Sequence, residues 1–249
     1  MPTNWGSRSF NGTTDLVNAG TAAILNPNGA GASMTGAVWI YPTSFPNAYN
    51  PVIGRSDGAT HYYVLQPKST GKMALYYIDN GGVSRNYDPG NTTISTNVWS
   101  HLAFVIPASG KGEGYINAVL DAQCTIAGTG ITTISASTCF GGDNHGAFFA
   151  GRLADAAIWN VNLLLPELKA LANGARPWTI RPGNLVGYWP LDGLQSPEPD
   201  LTGNKNNGTL TGTAAASGPP YAVFTPRWPQ GLDVFVPPPA FVLMPQIVT

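Results

Sequence analysis

Between residues 148 and 177 the chain changes period, and that change organises the reading of the rest. Leu153, Asp155, Ala157 and Trp159 alternate with Ala154, Ala156 and Ile158, the period-two pattern of a strand packed on both faces. Asn160 to Asn162 break it. Leu168, Leu171 and Ala172 then fall on one stripe at helical spacing, with Pro166 suited to a first helical position and Glu167 placed near the positive helix N-terminus. Gly174 and Pro177 stop the helix. One short helix is predicted near 166–173.

Elsewhere the alternation is that of strands. In 36–42, Ala37, Trp39 and Tyr41 alternate with Val38 and Ile40, as expected of a strand between packed sheets, with Trp39 in the core. Strand candidates follow at 51–55, 62–67 and 72–78, separated by Asp57-Gly58 and Asp79-Asn-Gly-Gly82, which read as hairpin turns. Further strands are predicted at 98–105, 114–121, 131–140 and 185–192. His101 stands alone in an apolar strand, where its nitrogens serve structure. At 117–118 an Asn-Ala pair occupies a tight hairpin in which Gly is the usual second residue, and a turn of a different type is expected there.

Several of these segments, taken in order, resemble a laminin-G-like (concanavalin A-like) jelly-roll domain. The carriers are Phe10-Asn-Gly-Thr-Thr-Asp-Leu-Val17, Val38-Trp-Ile-Tyr-Pro42, Trp99-Ser-His-Leu-Ala103, the strand-to-helix unit ending at Gly174 and Pro177, and Asp200-Leu-Thr-Gly-Asn204. Leu165 departs from the Ser or Thr usual at the start of that helix. The resemblance covers about residues 10–212 and implies an all-β fold: an antiparallel two-sheet β-sandwich, with residues 1–220 as one domain. Residues 221–249 differ in character. Six prolines alternate there with Phe224, Trp228, Phe235, Phe241 and Leu243, too many prolines for a ladder and too many apolar groups to prefer water. The expectation is an extended Pro-rich C-terminal arm lying against its own sandwich, a partner protein or identical subunits.

Composition narrows the function. Charged residues make up 10% of the chain and the net charge is −1, which removes the electrostatic basis for nucleic-acid binding. No run of about 18 apolar residues offers a membrane span, and residues 1–20 lack the basic start and apolar core of a secretory signal. Cys124 and Cys139 are the only cysteines, too few for a zinc site. A disulfide between them and two buried thiols are both open.

For catalysis, the glycosidases of this fold carry paired carboxylates on one strand, about 5 Å apart in retaining enzymes. Glu113, Glu167 and Glu198 are the only glutamates; they sit in a Gly-rich turn, a helix start and a Pro-rich loop, and only Glu198 has a carboxylate, Asp200, two residues away. No nucleophile elbow, phosphate loop or zinc-protease motif is present. The chain is read as not an enzyme and as requiring no cofactor. The resemblance implies that Ca²⁺ is open, with Asp15 and Asp155 in the matching motifs as candidate ligands, since a hard cation takes oxygens. A glycan site needs outward aromatic rings and short polar groups; Tyr62, Tyr77, Tyr87, Asp143, Asn144 and His145 are the candidates. Two function classes remain. One is a structural jelly roll displayed outside a larger assembly, such as a virus particle, through its arm. The other is a secreted carbohydrate-binding lectin. Either places the protein extracellularly or on a virion surface.

Overall fold

The computed structural model describes residues 6–27, 31–57, 60–132, 135–143 and 146–220. The strands are β1 (Gly6–Asn11), β2 (Leu16–Asn18), β3 (Met34–Ser44), β4 (Ile53–Ser56), β5 (His61–Pro67), β6 (Met73–Ile78), β7 (Ser84–Tyr87) and β8 (Ser100–Ile106). They continue with β9 (Glu113–Ile116), β10 (Val119–Gln123), β11 (Ser137–Phe140), β12 (Ala150–Trp159), β13 (Leu185–Trp189), β14 (Thr209–Thr211) and β15 (Ala214–Ser217). One α-helix, α1, spans Leu165–Ala172. No helix among the described residues is long and apolar enough to cross a membrane.

All the strand pairs are antiparallel and form two sheets. The first runs β10-β9-β8-β3-β12-β1-β15, with β13 also on β12; the second runs β14-β2-β11-β4-β5-β6-β7. This is the jelly-roll sandwich. Phe10, Val38, Ile40, Tyr63, Leu75, Phe104, Phe140 and Trp189 pack between the sheets, where burial of each large apolar side chain contributes about 1.5–3 kcal/mol. A second cluster lies on the outside of the first sheet, where Leu168 and Leu171 of α1 cover Ala37, Ala103, Val105, Ala157 and Trp159.

The phase of β12 differs from the simple alternation expected of it. Asp155 has φ +50°, and the pairing with β3 shifts between Ala154 and Ala157. That extra residue is a β-bulge, which reverses which face each later side chain takes. Leu153 therefore joins Ala156 and Ile158 between the sheets, while Ala157 and Trp159 face the helix. Aspartate tolerates the left-handed conformation better than most residues, and here its carboxylate is tied down by Tyr188 and Arg176.

Trp39 is likewise not between the sheets. Val38 and Ile40 take the interior, so Trp39 points to the outer side of the first sheet, half-buried, with its ring edge-on to His101 at 5.3 Å. The hairpin after β9 keeps positive φ at both Asn117 (50°) and Ala118 (60°), so the two-residue form survives without glycine. Asn117 is held on both sides: its N–H donates to His101 O at 2.7 Å, and its Oδ1 accepts from His101 N at 2.8 Å. Strand β11 is shorter than predicted because only Ser137–Phe140 pair with neighbours.

Helix α1 starts one residue earlier than expected, at Leu165, with Pro166 second. No Ser or Thr hydroxyl caps it. Instead Glu167 Oε2 accepts from Leu164 N at 2.6 Å, and Oε1 accepts from Arg181 Nε at 2.5 Å. Glu167→Ala is expected to lose about 1 kcal/mol, the usual worth of a cap plus a partly exposed ion pair. Urea unfolding would check this, and an unchanged midpoint would show that Leu164 needs no partner.

The two cysteines are both buried and are not joined in a disulfide. Cys124 packs between the sheets, whereas Cys139 is paired in β11 beside Gly54 and Asn18, so the disulfide that the sequence left open is not formed. The arm at 221–249, with Phe224, Trp228, Phe235, Phe241 and Leu243, lies outside the described residues.

Candidate functional site: a cleft on the outer face of the second sheet

Strands β5, β6 and β7 alternate regularly. Tyr63, Leu65, Met73, Leu75, Tyr77 and Tyr87 go inward to the core, which turns Gln66, Ala74, Tyr76 and Asn86 to the opposite face. Over that face lie the segment carrying Tyr49, the β7 end carrying Asp88, and the loop carrying Asp143 and Ala147. Together they line a cleft of about 540 Å³.

The polar groups of the cleft are positioned by one another. Tyr49 is 36% exposed; its hydroxyl donates to Asp88 Oδ2 at 2.6 Å, and Lys68 Nζ donates to Asp88 Oδ1 at 2.5 Å. The Lys68 ammonium also sits 5.0 Å from the Tyr49 ring centre. Hydrogen bonding to Asp88 holds both the Tyr49 phenol and the Lys68 ammonium protonated to higher pH than usual.

At the other end, His61 Nε2 is 2.9 Å from Asp143 Oδ2, and Asp143 Oδ1 accepts from Ala147 N at 3.1 Å. The His61 ring meets Tyr76 edge-on at 6.5 Å, while the Tyr76 hydroxyl lies 2.8 Å from Ser84 Oγ. Gln66 is buried between these groups, and its Oε1 meets no donor among the described residues.

The sequence candidates divide. Asp143 lines the cleft. Asn144 and His145 lie outside the described residues. Tyr62 is buried and donates to Asp57 Oδ2 at 2.8 Å, away from the cleft lining. Tyr77 and Tyr87 are corrected outright, because both rings are in the core and cannot stack on a ligand. Burial pushes the Tyr77 phenol up to about 12. Tyr87 reaches inward because β9 offers a glycine, Gly114; a Cβ there would stand 1.7 Å from the Tyr87 hydroxyl.

The alternation of Met73, Leu75 and Tyr77 against Ala74 and Tyr76 is the signal that selects Tyr76. For Tyr49, His61, Gln66, Asn86 and Asp88 no local signal existed.

Asp15 and Asp155 are not brought together. Asp15 accepts from Asn11 N at 3.1 Å and closes its own turn. Asp155 Oδ2 accepts from Arg176 Nη1 at 2.5 Å and its Oδ1 accepts from the Tyr188 hydroxyl at 2.6 Å, and a guanidinium at the carboxylate opposes a second cation. Asn11 pairs with Ala150, which puts the two acids on the order of 15 Å apart along β12 at the rise of a strand. Among the described residues no three His, Cys, Asp or Glu gather closely enough to hold a metal.

The glutamates are spread through the fold. Glu113 accepts from the Tyr115 hydroxyl and from Gln123 Nε2, Glu167 caps α1, and Glu198 is buried against Arg8.

Similarity to known proteins agrees with this architecture. Among solved structures, a candidate carbohydrate-binding protein from Bacteroides ovatus ATCC 8483 superposes with a TM-score of 0.60 at 20% identity over 88% of this chain. The chain spans 62% of that protein. A heptameric SAP-like pentraxin from Limulus polyphemus superposes at 0.50, with 16% identity over 70% of this chain and 85% of the pentraxin. A search of the curated proteins finds no significant sequence match. The family model of the concanavalin A-like lectin/glucanases superfamily matches residues 11–169, more than half of the sequence, and the chain belongs to that superfamily.

Proposed function

We propose that this protein is a non-catalytic carbohydrate-binding module, acting outside the cell, that receives sugar rings in the cleft between Tyr49, Tyr76 and the His61–Asp143 pair. One observation carries the reading: two tyrosines line a cleft of about 540 Å³ that they share with the polar side chains of Thr60, Gln66, Asn86, Asp88 and Asp143. That combination matches the chemistry of a sugar, whose ring carbons stack on aromatic faces while its hydroxyls need hydrogen-bond partners. The carbohydrate-binding role assigned to the Bacteroides ovatus protein supports the same reading. The separate structural duties of Glu113, Glu167 and Glu198 support the absence of bond cleavage, since a glycosidase needs two acids facing one substrate.

A glycan array probed with the full chain, followed by calorimetric titration of the strongest hit, tests the proposal. Tyr76→Ala is expected to weaken that hit about tenfold, the worth of roughly 1.4 kcal/mol of lost ring contact. Incubation with the bound polysaccharide is expected to release no reducing ends. Silence across a broad array, or full binding by Tyr76→Ala, would end this reading of the cleft.

The other reading, a component displayed on a larger assembly such as a virus particle, depends on the arm at 221–249. Incorporation of the full chain, but not of a chain ending at residue 220, would support it.

A further inference from the structure

We infer that the cleft takes uncharged saccharides and turns away acidic ones; the inference rests on the carbohydrate-binding reading of the same site. Gln66 is only 7% exposed, it lines the cleft, and its Oε1 lacks a donor among the described residues. A buried carbonyl oxygen left without a donor is costly, and a ligand hydroxyl that reached it would remove that cost.

Among the described residues, two carboxylates line the same space beside it, Asp88 and Asp143, the latter 2.9 Å from the His61 ring nitrogen. Asp88 accepts from Tyr49 and Lys68, and Asp143 from His61 and Ala147. A carboxylate has about four acceptor positions, so Asp88 keeps capacity toward the cleft.

Donors for an anion are scarce by comparison. Among the described residues no Lys or Arg lines the cleft. Lys68, at its edge, is committed to Asp88 and to the Tyr49 ring. Recognition of a sugar carboxylate or sulfate calls for a guanidinium fork or an uncommitted ammonium, and such a group would instead bring its charge against Asp88 and Asp143. A neutral sugar supplies what the cleft lacks, namely hydroxyl donors.

The test is calorimetric titration of the full chain with matched pairs: lactose-terminated oligosaccharides with and without sialic acid, and galacturonic-acid oligomers against galactose oligomers of equal length. In at least one pair the neutral member is expected to bind about tenfold or more tightly than its acidic partner. Gln66→Leu, which keeps the side chain's bulk and removes the amide, is expected to weaken neutral binding about fivefold or more with the thermal midpoint unchanged. Asn86→Ala, at an exposed position on the same face, is expected to weaken it also, and it covers the case in which Gln66→Leu fails to fold.

Equal or tighter binding of the acidic members would overturn the neutral preference and leave the sugar site standing. Neutral binding unaltered by a folded Gln66→Leu would likewise overturn it. Absence of binding to every member of both series, and to a broader array, would remove the sugar site and this inference together.

Discussion

Glu198→Ala is expected to destabilise the fold by about 3–5 kcal/mol, the cost of leaving a buried charge without its partner. Glu198 is fully buried and Arg8 nearly so, with Nε and Oε2 at 2.5 Å. The second carboxylate oxygen accepts from Leu191 N at 2.7 Å, and the Arg8 guanidinium also reaches Gln195 O. Burial pushes the Glu198 carboxyl upward against the pull of Arg8. The pair thus ties the 190–198 segment to β1 and closes the sandwich where its ends meet.

Removing either partner alone should be severe, whereas Arg8→Met combined with Glu198→Leu should recover most of the loss, because two desolvated charges disappear together. Urea unfolding of the three variants would measure this, with the slope of the transition checked for constancy. A single variant losing under about 1 kcal/mol would mean that water reaches the pair after unfolding of only the 190–198 segment.

The second large effect is expected in acid. His101 is buried on the outer side of the first sheet, and burial alone lowers its imidazole from 6.5 to about 3. In the folded protein the ring is therefore neutral across the whole range between those values, while in the unfolded chain it protonates below about 6.5. The unfolded state binds the extra proton, so stability rises with pH through this window and is lost as pH falls from about 6.5 toward 3.

The limiting slope is about 1.4 kcal/mol per pH unit, or a loss of about 2 kcal/mol by pH 5. It should be read between pH 5 and 6.5, above the ordinary carboxylate range. His101→Phe keeps a ring against Trp39, which lies 5.3 Å away, and removes the titration. A Phe variant with the same acid slope would show that His101 is not its source.

How far the sequence led depends on the range of the interaction. Leu168 and Leu171 at helical spacing placed α1 to within a residue, because the stripe is a local property that packing preserves. The order of turn and strand motifs from Phe10 to Asp200 was enough to identify the sandwich. In β12, by contrast, the alternation misassigned the faces of Ala157 and Trp159. One bulge residue, Asp155, shifts the phase, and nothing in its local pattern distinguishes it from a strand position.

In the cleft, a choice between neighbours such as Tyr76 and Tyr77 turned on phase, which Met73 and Leu75 encode. The approach of Tyr49, Asp88 and Asp143 to β5 and β6 could not be read, since those residues are brought near by pairing between distant strands.

The chain alone determined its period, its turns and its low charge, which together specify a two-sheet body. Tertiary structure alone decided that Tyr49 and Tyr76 share one cleft, that Arg8 neutralises Glu198 across 190 residues, and that Gln66 lies buried in that cleft's lining with an oxygen that meets no donor among the described residues. The physical reason is that hydrophobic period is written into consecutive residues. Burial, charge pairing and the shape of a cleft exist only once separate strands have been packed side by side.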